Sequence, residues 1–126
     1  MVVDDETAIQ EITKTSLKNY YYTAITASDG IEALAIYARH KEKIRAAIID
    51  IMMSKMDGAT TIRTLQRLNP LLPIIAVSGL ATSEQVPIDK TAEYTAFLPK
   101  PYSVSRPSRG TACRAPTPCD VMLYLI

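Results

Sequence analysis

AAIIDIMMSKMDG, residues 46–58, is the stretch on which the fold turns. Ala46–Ile49 is a run of small and β-branched residues, suited to a central parallel strand that is apolar on both faces. It ends abruptly in Asp50. A carboxylate at the carboxyl end of a buried strand is costly unless a cation, a donor or a reaction partner meets it. In open α/β sheets that edge is also where ligands bind. Taken alone, Asp50 also reads as a helix N-cap or turn residue. The other carboxylates and a lysine change the case.

Upstream, Met1–Val3 is a stub of apolar strand whose natural start is expected a few residues earlier. It runs into Asp4-Asp5-Glu6. Thr7–Lys18 reads as a helix with Ala8, Ile9, Ile12 and Ser16 on one face. Tyr20–Ala27 is rich in strand formers. Ser28-Asp29-Gly30 breaks it, and Asp29 with Glu32 predicts a capping box. The helix Ile31–His40 is expected to bury Leu34, Tyr37 and Ala38.

Downstream, the loop Ile51–Gly58 leads to a helix over Thr60–Leu68, with Ile62 and Leu65 inward and Asn69-Pro70 as its stop. Ile74–Ser78 and Ala96–Pro99 read as strands. A helix is expected around Ser83–Tyr94, started or broken by Pro87. Strands alternating with helices predict an α/β fold: a parallel sheet covered on both faces and wound by right-handed crossovers.

At 126 residues the chain suits one domain. Hydrophobic content is 48%, with no run long enough to span a membrane. The amino end is acidic, unlike a secretory signal, and a cytoplasmic protein without membrane insertion is expected. A net charge of +1 gives no sign of a nucleic-acid surface. Residues 1–100 hold 11 Lys and Arg against 12 Asp and Glu, a net of −1. Residues 101–126 hold Arg106, Arg109 and Arg114 against Asp120, a net of +2. Cys113 and Cys119 lie in that tail with no histidine near them, a poor zinc site. Ser103–Pro118 has no period and is crowded with Pro, Ser, Arg and Thr, and Val121–Ile126 closes the chain in an apolar run. The division is therefore a domain over 1–102 and an irregular tail over 103–126.

The chemistry gathers at the carboxyl ends of strands. Asp4 and Asp5 follow the first, Asp50 ends the third, Ser78 ends the fourth and Lys100 follows the fifth. Carboxylates that close repel one another, and a hard divalent cation with oxygen ligands relieves the repulsion. Lys100 adds a point charge, Ser78 a hydroxyl donor, and Gly79 leaves space beside it. Together they outline a phosphoryl site with a carboxylate nucleophile. No glycine-rich phosphate loop accompanies it, which argues against a nucleotide. Taken singly, Ser78 also reads as a turn residue and Phe97 as core. His40 sits in Arg39-His40-Lys41 on a solvated helix end and is not a credible phosphodonor.

Val3-Asp4-Asp5-Glu6, Asp50, Met56-Asp57-Gly58, Val77-Ser78-Gly79 and Phe97-Leu98-Pro99-Lys100-Pro101 resemble the receiver domain of bacterial two-component response regulators and hybrid kinases, in order and spacing. The resemblance covers residues 1–102. It implies a flavodoxin-like doubly wound sheet of five parallel strands in the order 2-1-3-4-5. Asp50 becomes the phosphoacceptor, served by a phosphohistidine on a histidine kinase or phosphotransfer protein. Mg²⁺ is expected on Asp5, Asp50 and the Met52 backbone carbonyl, with Asp4 acting through water. Lys100 would pair with the phosphoryl group, Ser78 would hydrogen-bond it and move inward, and Phe97 would be the switching aromatic. Lys100–Pro101 matches a bond the family holds cis. Met52 and Leu80 stand where receivers carry polar side chains that help hydrolysis, which implies a long-lived phosphoryl group. In this reading the chain is not itself an enzyme, and any kinase activity lies outside it.

Departures are visible. Ser54 stands where proline is usual, Pro87 disturbs the fourth helix, and the tail cannot make the fifth helix as written. Such a tail resembles out-of-frame translation. Either Val121–Ile126 folds back to replace that helix in part, or a bare sheet face drives self-association. Two other functions compete. One is a pseudo-receiver that binds a partner without phosphorylation, against which the full acid and lysine set argues. The other is a metal-dependent phosphohydrolase, which usually wants a second acid where Met52 stands.

Overall fold

The computed structural model describes residues 1–79 and 96–100. Its elements in order are β1 (Val2–Val3), α1 (Thr7–Asn19), β2 (Thr26–Ala27), α2 (Gly30–His40), β3 (Ala47–Asp50), α3 (Gly58–Leu68), β4 (Ile74–Ser78) and β5 (Ala96–Pro99). The five strands form one sheet in the order β2-β1-β3-β4-β5, and every neighbouring pair is parallel. This is the doubly wound order that the resemblance implies.

Side chains alternate across each strand, so the sheet carries two cores. Val3, Ala27, Ala47, Ile49, Ile74 and Ala76 pack with Ala33 and Tyr37 of α2 and Ile62 and Leu65 of α3. Val2, Ile48, Ile75, Val77, Ala96 and Leu98 form the opposite face with Leu17 of α1. All of β3 is buried, as its unbroken apolar run predicts. The helix starts follow from their caps. Asp29 Oδ1 accepts the Glu32 N–H at 2.8 Å, and the Glu32 carboxylate returns to the Ser28 N–H at 2.7 Å, one residue before the N-cap. Asp57 Oδ1 accepts the Thr60 N–H at 2.7 Å, so α3 opens at Gly58, two residues earlier than its periodicity predicts.

Three expectations are corrected. The buried face of α1 is Gln10, Thr13 and Leu17, one residue on from Ile9, Ile12 and Ser16, and Ile12 is 61% exposed. One residue is about 100° of helix rotation. The roll brings the Gln10 amide to the Asp4 carbonyl at 2.6 Å, the Ser28 hydroxyl at 3.2 Å and the Ala27 carbonyl at 3.3 Å, satisfying backbone groups that Ile9 could not. β2 is only Thr26–Ala27, because Tyr20 caps α1 and Tyr21 turns back at φ 67. In α2, Ala33 is buried and Ala38 exposed, since Ala33 lies on the stripe with Tyr37. On the α1 side of the sheet, the described strand residues are buried and pack with Leu17, Tyr22 and Ala24.

The helix expected around 83–94, Leu80, the Lys100–Pro101 bond and the tail over 103–126 lie outside the described residues. Among the described residues, no helix is long and apolar enough to cross a membrane.

Candidate functional site

The register sets the site. Asp50 lies opposite Val77 in β4, and Ser78 lies opposite Pro99 in β5. The Lys100 N–H donates to the Ser78 carbonyl at 2.7 Å, which fixes the lysine beside the end of β4. The Asp4 N–H donates to the Ala27 carbonyl at 3.1 Å, continuing the pairing just past β1. Each of these residues follows from a strand ending at the same edge.

Asp4, Asp5 and Asp50 converge there, with one carboxylate oxygen from each lying within 4.8 Å of the others. Asp4 and Asp50 are buried and Asp5 is exposed. The Lys100 ammonium lies 2.9 Å from Asp4 Oδ2, 3.2 Å from Asp50 Oδ2 and 3.8 Å from Glu6 Oε1. Each carboxylate also accepts one backbone N–H. Glu6 donates to Asp4 Oδ1 at 2.9 Å, Met52 to Asp50 Oδ1 at 3.2 Å and Ser54 to Asp5 Oδ2 at 3.2 Å. Three clustered carboxylates against one lysine are a charge imbalance that a hard cation corrects, and all-oxygen donors suit Mg²⁺.

Burial dominates the electrostatics of Asp50. It pushes the carboxyl above its ordinary value, and Asp4 adds to the rise, while Lys100 and the Met52 N–H oppose it. Burial also works against the Lys100 charge, but the hydrogen bonds and charges of Asp4 and Asp50 outweigh it and leave the ammonium above its ordinary value. Lys100 is therefore a fixed positive charge at neutral pH.

The remaining expected residues are placed as follows. Ser78 is fully buried at the end of β4. Phe97 is partly buried and packs against the core on the α2–α3 side. Met52 is 55% exposed in the loop after β3. His40 is exposed at the end of α2. Sequence reasoning missed the Lys100 bridge between two aspartates, the Ser54 N–H and the Gln10 clamp. Gln10 left a signal, a polar residue at inward helical spacing with Thr13 and Leu17.

Gly58 also supports the site. Its N–H donates to the Ile51 carbonyl at 3.1 Å, and a Cβ there would overlap the Asp50 carbonyl oxygen and lie 2.5 Å from Ile51 Cα. Those atoms are backbone and cannot swing aside. Gly58→Ala is expected to destabilise the domain by about 2 kcal/mol or more, lowering the melting temperature by about 10 °C. A thermal melt unchanged to within 2 °C would show that the α3 start and the β3 end separate without strain; the threshold is roughly a few tenths of a kcal/mol.

A parallel sheet in this order, with three acids and a lysine across its carboxyl edge, defines a flavodoxin-like domain. The family model described as response regulator receiver domain matches residues 1–107. The chain belongs to that family, the receiver domains of two-component systems. The sensor kinase CckA of Brucella abortus (strain 2308) is 33% identical over 109 residues, 84% of this chain and 11% of that protein. The response regulator MprA of Mycobacterium ulcerans (strain Agy99) is 35% identical over 106 residues, 82% of this chain and 44% of that protein. The chain thus spans less than half of either relative. Among solved structures, the chemotaxis protein CheY4 of Vibrio cholerae has a TM-score of 0.72 at 27% identity, covering 81% of this chain and 85% of that one. The response regulator TrrA of Thermotoga maritima, in complex with Mg(2+)-BeF, has a TM-score of 0.69 at 25% identity, covering 79% and 83%.

Proposed function

We propose that this chain is a phosphoacceptor module, taking a phosphoryl group onto Asp50 from a phosphohistidine of a histidine kinase or phosphotransfer protein. The observation that carries the reading is the meeting of Asp4, Asp5, Asp50 and Lys100 within hydrogen-bonding and ion-pair reach at one sheet edge. An Asp50 carboxylate oxygen attacks phosphorus, the phosphorus–nitrogen bond to the donor imidazole breaks, and its electron pair stays on that nitrogen. The Met52 N–H holds Asp50 Oδ1, which orients the side chain for attack. Lys100 neutralises charge on the transferred group. The buried Ser78 hydroxyl receives a phosphoryl oxygen, and Phe97, two strand residues before Pro99, responds as the switch residue. Asp5 and Asp50 would hold Mg²⁺ with the Met52 carbonyl, and Asp4 would join through water. When bound, the ion supplies neutralisation of the acid cluster and of the phosphoryl oxygens. The names of the relatives, a sensor kinase and a response regulator, and the Mg(2+)-BeF complex of TrrA support this reading.

The chain is a phosphoryl carrier here, with the kinase activity residing elsewhere. The test is incubation with acetyl phosphate and Mg²⁺, followed by intact-mass measurement. A gain of one phosphate per chain is expected. No gain points to a pseudo-receiver, and rapid repeated turnover of acetyl phosphate points to a phosphohydrolase.

A further inference from the structure

Asp5 is held differently from its two neighbours. Asp4 and Asp50 each accept an N–H from two residues further along their own turn and share the Lys100 ammonium. Asp5 is exposed and accepts its N–H from Ser54, a partner 49 residues away. Two like charges lie beside it, and the water outside would solvate it freely. Rotation of Asp5 outward would relieve repulsion. The hydrogen bond from Ser54 opposes that rotation, and bonds to charged acceptors are the stronger kind.

We propose that the Ser54 backbone N–H is a positioning group, a latch between the turn after β1 and the loop after β3 that keeps the Asp5 carboxylate turned toward the cation site. The donor is main chain, so the serine hydroxyl is irrelevant to it. Any residue but proline at 54 supplies it. Preorganising a ligand removes the part of the binding free energy otherwise spent on ordering it. The inference rests on the Mg²⁺ reading above.

The test compares wild type, Ser54→Ala and Ser54→Pro by the Mg²⁺ concentration that gives half of the maximal rise in melting temperature. Ser54→Ala is expected to match wild type. Ser54→Pro is expected to need about three- to tenfold more Mg²⁺. A midpoint for Ser54→Pro equal to that of Ser54→Ala overturns the latch alone. A wild type indifferent to millimolar Mg²⁺ overturns both the latch and the cation reading. Amide hydrogen exchange at Ser54, measured without metal, is the second readout and decides the matter should Ser54→Pro not fold. Exchange is expected to quicken about tenfold in Asp5→Ala, and an unchanged rate overturns the latch.

Discussion

Asp50→Asn is expected to take up no phosphate from acetyl phosphate and Mg²⁺, where wild type is expected to gain one group per chain. The amide has the carboxylate's shape and still accepts the Met52 N–H that sits at 3.2 Å from Oδ1. It lacks the anionic oxygen that attacks phosphorus, so loss is complete while the fold stays. The same substitution raises stability at neutral pH. Asp50 is held above its ordinary value, first by burial and then by Asp4, despite Lys100 and the Met52 N–H. A carboxylate raised in the folded state is a net burden when charged. That burden is full at pH above the folded value and is relieved as pH falls through it toward the ordinary 3.8, because the native state takes the proton first. The variant therefore melts above wild type at pH 7, and its margin shrinks on acidification through that window. Intact mass and melts at pH 7 and pH 4 check both parts. Uptake of phosphate at wild-type stoichiometry would place the acceptor elsewhere.

The parts of the fold legible in the sequence were those written by one dominant force. The buried β3 run, the turn at Asn69-Pro70 and the Asp29 cap are local or purely apolar signals, and the structure places them within two residues. α1 was misread because its apolar residues do not mark its inward face. Gln10 is buried through three acceptors on other segments, and no local pattern encodes those. β2 was overlong for the opposite reason: Tyr20 and Tyr22 favour strands, but Tyr21 at φ 67 ends α1 with a reversal that propensity cannot foresee. The meeting of Asp4, Asp5, Asp50 and Lys100 could be read because each ends or closely follows a strand at one sheet edge. The Ser54 N–H could not, since a main-chain donor has no letter of its own. The Lys100 bridge depended on β5 pairing beside β4, a contact between distant segments.

Lys100→Met gives the largest expected loss of stability among single substitutions at the site. The thioether chain retains much of the apolar stem, so the change is chiefly the removal of charge. It leaves Asp4 at 2% and Asp50 at 3% exposure with no ammonium between them. Breaking a buried pair from one side costs about 3 kcal/mol, because the remaining charge is stranded. The sign of its pH dependence separates this from a packing defect. The lysine is raised above its ordinary 10.5, so it keeps its own charge throughout the neutral and acid range and loses it only as pH rises through the folded value. What titrates in the variant is the stranded Asp50 carboxyl. Without Lys100 the Asp50 carboxyl loses the charge that opposes its rise and goes up further, and acidification from pH 7 toward pH 4 protonates it in the native state first. The gap between wild type and variant therefore narrows as pH falls. Mg²⁺ has the same effect at pH 7 by supplying the missing positive charge, so the rise in melting temperature with Mg²⁺ is larger in the variant than in wild type. Phosphorylation nevertheless stays impaired, since the lysine's place beside the transferred group is empty. Melts at two pH values, each with and without Mg²⁺, decide the point. A gap that neither acid nor Mg²⁺ narrows would assign the loss to the packing of the lysine stem, and the charge account of the site would fall with it.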